Sequence, residues 1–96
     1  MFAIELDSPG MIKIKGRLDA AQAPRAEDFL AGVHGVFAID LAELEYVSSA
    51  GLGVFLQAHK RLTEQGSALR LTNVGAHIGD IFRYSGFDKV FTVEAR

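Results

Sequence analysis

The stretch that decides the fold begins Val36-Phe37-Ala38-Ile39-Asp40-Leu41, passes through a connection, continues with Leu52, Phe55, Leu56, His59, Leu62 and Thr63 at helical spacing, and ends Ala68-Leu69-Arg70-Leu71-Thr72. The first segment is short, almost continuously apolar and preceded by Gly35, as expected of a strand buried on both faces in the middle of a sheet. The second carries Gln57, Lys60, Arg61 and Glu64 opposite its apolar stripe and stops at Gly66, which predicts the longest helix. The third alternates and predicts another strand. A helix between two strands of one sheet implies parallel pairing through a right-handed crossover.

Working outward, Phe2, Ile4 and Leu6 alternate with polar or small residues, Asp7-Ser8-Pro9-Gly10 makes a turn, and Met11-Ile12-Lys13-Ile14-Lys15 alternates again, which predicts an antiparallel hairpin toward a sheet edge. Ala26, Phe29, Leu30 and Val33 form a helical stripe after Pro24, a residue suited to a first helical position. Ile78, Ile81, Phe82 and Ser85 form a third stripe ended by Gly86, and Val90-Phe91-Thr92-Val93 predicts a last strand. The order is an α/β sheet with an antiparallel hairpin attached.

The chain has 96 residues, which predicts one domain over 1–96 with a single core. Its composition is 49% hydrophobic and 23% charged with a mean hydropathy of +0.18, that of a chain able to bury a core. It has no cysteine, which excludes disulfides and thiolate chemistry and suits a reducing cytoplasm. A net charge of -2 argues against a reader of phosphate backbones, so no nucleic-acid partner is expected. The opening Met1-Phe2-Ala3-Ile4-Glu5 lacks a basic start followed by an apolar run, and no long apolar run follows, so neither a signal peptide nor membrane insertion is expected.

Two connections are unlike simple turns: Gly16-Arg17-Leu18-Asp19-Ala20-Ala21-Gln22-Ala23 and Glu43-Leu44-Glu45-Tyr46-Val47-Ser48-Ser49-Ala50-Gly51. Both follow carboxyl ends of strands that run into helices, where open α/β sheets place their binding crevices, so they should meet on one surface. The second opens the longest helix with Ser48-Ser49-Ala50-Gly51-Leu52-Gly53, a small-residue approach over exposed amides. Capping accounts for one serine. It leaves the second serine unexplained, as well as two glycines that each cost a helix roughly 1 kcal/mol relative to Ala. Glycines there suggest that something must come close.

The run from Ile39 through Ser48-Ser49-Ala50-Gly51-Leu52-Gly53 to Leu56 resembles the signature of STAS domains, specifically the bacterial anti-sigma factor antagonists. Gly16-Arg17-Leu18-Asp19 with Ala23-Pro24 resembles that family's entry to its first helix, and Ser85-Gly86-Phe87 with Val90-Phe91 resembles its C-terminal end. The resemblance implies a STAS-like mixed, mostly parallel sheet of about five strands, with an antiparallel N-terminal hairpin and three to four helices. It also implies a partner-switching protein with no catalytic residues, cofactor or metal of its own. Its partners would be an anti-sigma factor serine kinase with a histidine-kinase-like ATPase fold and a PP2C-type phosphatase. The acceptor serine matches Ser49, with Ser48 as the second candidate where many members carry Asp. The partner surface would comprise Arg17, Asp19, Gln22, Ser48, Ala50, Gly51, Leu52 and Gly53. The rival role is a constitutive STAS subunit of an ABC lipid-transport complex.

Other chemistries find little support in the spacing. His34, His59 and His77 form no H-x-H or H-E-x-x-H pattern, and His59 on an apolar stripe reads as a partly buried structural histidine. Val47 stands where a G-x-S-x-G nucleophile elbow needs Gly, and Leu56 stands where a G-x-G-x-x-G fingerprint needs its third Gly. A hydrolase using Ser49 would need a base within hydrogen-bond reach of its hydroxyl. Asp40, near the end of the central strand, fits a hydrogen bond to nearby backbone or the helix start at least as well as a contact role, and Lys60-Arg61 reads as a solvated helix face.

Overall fold

The computed structural model describes residues 1–33, 35 and 38–96. His34, and the Val36 and Phe37 start of the expected central strand, lie outside the described residues. The hairpin forms as β1 (Phe2–Ser8) and β2 (Met11–Leu18), paired antiparallel with Ile4 opposite Ile14 and Leu6 opposite Ile12. Then follow α1 (Ala23–Ala31), β3 (Ala38–Asp40), β4 (Leu44–Val47), α2 (Ser49–Glu64), β5 (Arg70–Val74), α3 (Ala76–Ser85) and β6 (Thr92–Ala95). The strand order is β1-β2-β3-β5-β6, with β4 pairing β2 off that path. Among the described residues every pairing except the hairpin is parallel, so the sheet is mixed and mostly parallel, with three α-helices.

Register explains the core. Ile12 pairs with Ile39, Ile39 with Leu71, and Leu71 with Val93, so one row of branched side chains crosses the sheet and all but Val93 are fully buried. Against it pack Ala26 and Leu30 of α1, Val54, Phe55, Ala58 and Leu62 of α2, and Ile78 and Phe82 of α3. The rings of Phe55 and Phe82 meet edge to face at 5.7 Å, and Phe82 meets Phe91 at 5.8 Å, the geometry their quadrupoles favour. His59 lies at the rim of this aromatic chain, half-buried and edge-on to Phe91 at 5.8 Å, as a structural histidine should.

Two expectations need correction. The connection before α2 contains a strand where the sequence reads as a loop, and with it the described residues form a six-stranded sheet, in keeping with the expected mixed sheet of about five strands. Leu44 and Val47 are buried while Glu45 is exposed, because β3 occupies only Met11–Lys13 of β2 and leaves Gly16–Leu18 open for β4 to pair. The last strand also starts later than Val90. The amides of Val90 and Phe91 both bond the Phe87 carbonyl, closing a 3-10 turn over Phe87–Lys89 that delivers Phe91 into the core before β6 begins.

The face opposite the apolar row carries ion pairs. Lys13 meets Glu43 at 2.9 Å, Lys15 meets Glu5 at 3.2 Å, and Arg70 forks onto Glu94 at 2.7 and 3.0 Å. The hydrogen bond from Arg70 holds the Glu94 carboxyl below its ordinary value of 4.5, and Lys13 does the same for Glu43. A carboxyl depressed in the folded state binds fewer protons there than when unfolded, so its stabilisation is complete above 4.5 and fades as pH falls through the folded value. The pairs are exposed and screened by salt, so the effect is small. Thermal melts should show a transition temperature falling from about pH 5 to about pH 3, and a shallower fall in Glu94→Gln.

Candidate functional site

Two strand ends build the site. The parallel register of β2 and β4 sets Arg17 beside Tyr46 and Leu18 beside Val47, so the two connections leave the sheet side by side. The Ser48 amide then donates to the Leu18 carbonyl at 3.0 Å, tying the start of the second connection to the end of β2. Ser48 is extended (φ -90°, ψ 175°) and caps α2, its hydroxyl accepting from the Gly51 amide at 3.2 Å. The first turn of α2 contains no acidic residue, so its positive end is uncompensated.

The two serines therefore differ. Ser48 is half-buried and its oxygen serves the helix. Ser49, the first residue of α2, is exposed, and among the described residues its hydroxyl takes part in no hydrogen bond, with His, Asp or any other group. Ala50 beside it is exposed too.

The two glycines also differ. Gly51 is buried, and a Cβ there would come 2.7 Å from the Leu18 carbonyl oxygen and 2.8 Å from a Val47 methyl. The close approach expected at this position is made inside the protein, by β2 itself. A Cβ on half-exposed Gly53 would meet nothing within 4 Å, so space there is open toward solvent. Leu52 between them is partly buried against the core.

On the first connection, one Asp19 carboxylate oxygen accepts the Gln22 amide at 3.1 Å, and the Asp19 carbonyl accepts the amides of Gln22 and Ala23 at 3.1 and 2.9 Å. Asp19 thus shapes the turn into α1, and Gln22, half-buried, occupies the N-cap without a side-chain capping bond. Arg17 is exposed, with its guanidinium carbon 4.3 Å from the centroid of the half-buried Tyr46 ring. Tyr46 was not singled out from the sequence. The alternation of Glu43, Leu44, Glu45 and Tyr46 was the available sign of the strand that places it. Asp40 accepts from the Ala42 amide at 2.9 Å and does not join the site.

Among the described residues, no group of three or more His, Asp or Glu side chains could hold a metal ion, and no helix is long and apolar enough to cross a membrane.

Comparison with known proteins places this geometry. A family model described as "Mlab, STAS domain" matches residues 3–94. A Listeria monocytogenes protein named anti-sigma-B factor antagonist is 32% identical over 89 residues, covering 86% of this chain and 76% of the relative. That name denotes a regulator rather than an enzyme. An anti-sigma factor antagonist from Mycobacterium paratuberculosis superposes with a TM-score of 0.81 at 22% identity, over 100% of this chain and 86% of that one. The Bacillus cell fate determinant SpoIIAA in its phosphorylated form superposes at 0.69 with 19% identity, over 100% and 92%. These two structures share the fold.

The glycines give a paired test. Gly51→Ala should cost about 1–3 kcal/mol by overpacking against β2, lowering the melting temperature by roughly 4–8 °C per kcal/mol. Gly53→Ala should raise it, by up to about 1 kcal/mol of helix propensity. Calorimetry on the two variants checks both signs.

Proposed function

This chain belongs to the STAS domain family, and on that premise we propose that it is an anti-sigma factor antagonist working as a phosphorylation-controlled partner switch. Unphosphorylated, it binds an anti-sigma factor serine kinase with a histidine-kinase-like ATPase fold. Phosphorylated on Ser49 it lets that kinase go, and a PP2C-type phosphatase resets it. The observation that carries this reading is the division of labour between the serines: Ser48 is occupied in holding α2, while Ser49 is exposed with its hydroxyl unbonded among the described residues.

The binding surface in this reading combines Arg17, Asp19 and Gln22 with Ser48, Ser49, Ala50, Leu52 and Gly53. Gly51 contributes from beneath, by allowing α2 to start against β2. A phosphate brings about -1.5 to -2 charges to the exposed start of a helix, which amides and dipole tolerate well. Modification therefore spares the fold. A partner packed over small neutral residues would instead have to bury a hydrated dianion, at a cost of several kcal/mol. Loss of about 4 kcal/mol weakens binding about a thousandfold.

Wild-type and Ser49→Asp proteins used side by side as baits in native lysate, with bound proteins identified by mass spectrometry, test the reading. The expected result is an ATPase-fold serine kinase with wild type only, phosphate on Ser49, and nearly equal melting temperatures for the two baits. Transporter subunits captured equally by both, with no phosphate on Ser48 or Ser49, would instead make the protein a constitutive subunit of an ABC lipid-transport complex.

A further inference from the structure

Among the described residues, β1 has a neighbour on one side only. Hydrogen bonding along β2 fixes which of its backbone groups are left over. The Arg17 amide donates to the Met1 carbonyl at 2.9 Å, toward β1. The Gly16 amide donates to the Glu43 carbonyl at 3.0 Å and the Gly10 carbonyl accepts from the Ala38 amide at 3.3 Å, both on the other side of β2. Odd-numbered residues of β2 therefore bond β1, and even-numbered ones bond β3 and β4. Because antiparallel ladders alternate bonded and unbonded pairs, Ala3 and Glu5, opposite Lys15 and Lys13, are engaged with β2. The amides and carbonyls of Phe2, Ile4 and Leu6 point out from the edge of the sheet.

The side chains of the same three residues lie on the face that the helices cover. Ile4 is in the core and Phe2 packs against it, but Leu6 remains 56% exposed. Proteins commonly blunt an open edge with proline or a bulge. Positions 2–6 hold no proline, and their register with β2 runs without a slip. On the opposite face the charge of Glu5 is met within its own chain by Lys15 at 3.2 Å.

We propose that β1 docks a second copy of this chain, edge to edge and antiparallel, with Ile4 opposite its counterpart. The sequence of the strand selects that occupant and that register. Phe2 and Leu6 flank Ile4 symmetrically, so a two-fold axis at Ile4 sets Phe2 of each copy against Leu6 of the other, and each of these outward pairs can exchange two hydrogen bonds. The exposed Leu6 gains an aromatic neighbour, the kind of cross-strand pair that stabilises a sheet. Glu5 falls opposite Ala3 of the second copy. An axis at Glu5 would oppose two like charges, and an axis at Ala3 would leave Leu6 without a partner. An antiparallel junction reverses strand direction, so the Ser48-Ser49 ends of the two copies face opposite ways along one continuous sheet. The dimer would be bivalent, whatever those ends bind.

Sedimentation equilibrium of the full chain, from about 10 μM to about 1 mM, tests the proposal at the affinities expected of a small interface. The expected result is a monomer–dimer equilibrium in that range. Ala3 lies on the outer face opposite Glu5 of the second copy, so Ala3→Lys should tighten the dimer and Ala3→Glu should weaken it, each roughly severalfold. In the monomer either new side chain sits beside the Lys15 and Glu5 pair, and circular dichroism checks that both variants keep the fold. A monomer throughout, association that continues beyond a dimer, or a dimer that responds alike to the two Ala3 variants would overturn the proposal.

Discussion

The carbonyl of Leu18 is the point on which the rest of the site depends. It accepts the Ser48 amide, and it lies where a side chain on Gly51 would have to go. The hydrogen bond fixes the height at which α2 begins relative to the sheet. The missing side chain lets the helix come down to that height. Together with the register of β2 and β4, they hold the two connections at one end of the sheet.

The charges are sorted by region. On the outer sheet face Lys13, Lys15 and Arg70 are each paired with a glutamate, leaving little for a partner to read there. At the C-terminal ends of β2 and β4 the arrangement reverses. A cation rests on a ring instead of a carboxylate, and a helix starts without an acidic residue in its first turn. That end has charge preferences still open to an incoming group, as a surface that changes partners requires.

Most of the fold was legible because the core is periodic. Alternation in the hairpin and the apolar stripes of α1, α2 and α3 follow from which side each residue must bury. The strand β4 was less legible, since a four-residue strand beside two glutamates looks like a polar connection until β2 is seen to have an unpaired half. The turn at Phe87–Lys89 was hidden for a related reason, because Phe91 is buried whether it sits on a strand or just before one. At the site, the sequence pointed to the serines and glycines but did not separate their duties. Which glycine is crowded is a tertiary fact, set by a carbonyl some thirty residues earlier in the chain, and which hydroxyl is occupied depends on the residue at which α2 starts. The Arg17 and Tyr46 stack needed the register slip that leaves Glu45 of β4 as an extra residue against β2, which no local pattern announces.

β2 is a forked strand: Met11–Lys13 pairs with β3 inside the sheet, and Gly16–Leu18 pairs with β4 beneath the site. The fork separates two kinds of evolutionary constraint along one strand. Changes in the first half disturb the apolar row and threaten folding. In the second half Gly16 and the buried Leu18 are fixed by backbone and packing, while Arg17 projects into solvent and can be exchanged at little cost to the sheet. A duplicated copy of such a gene can therefore drift toward a new partner through that one outward position, keeping its architecture while becoming insulated from its sibling.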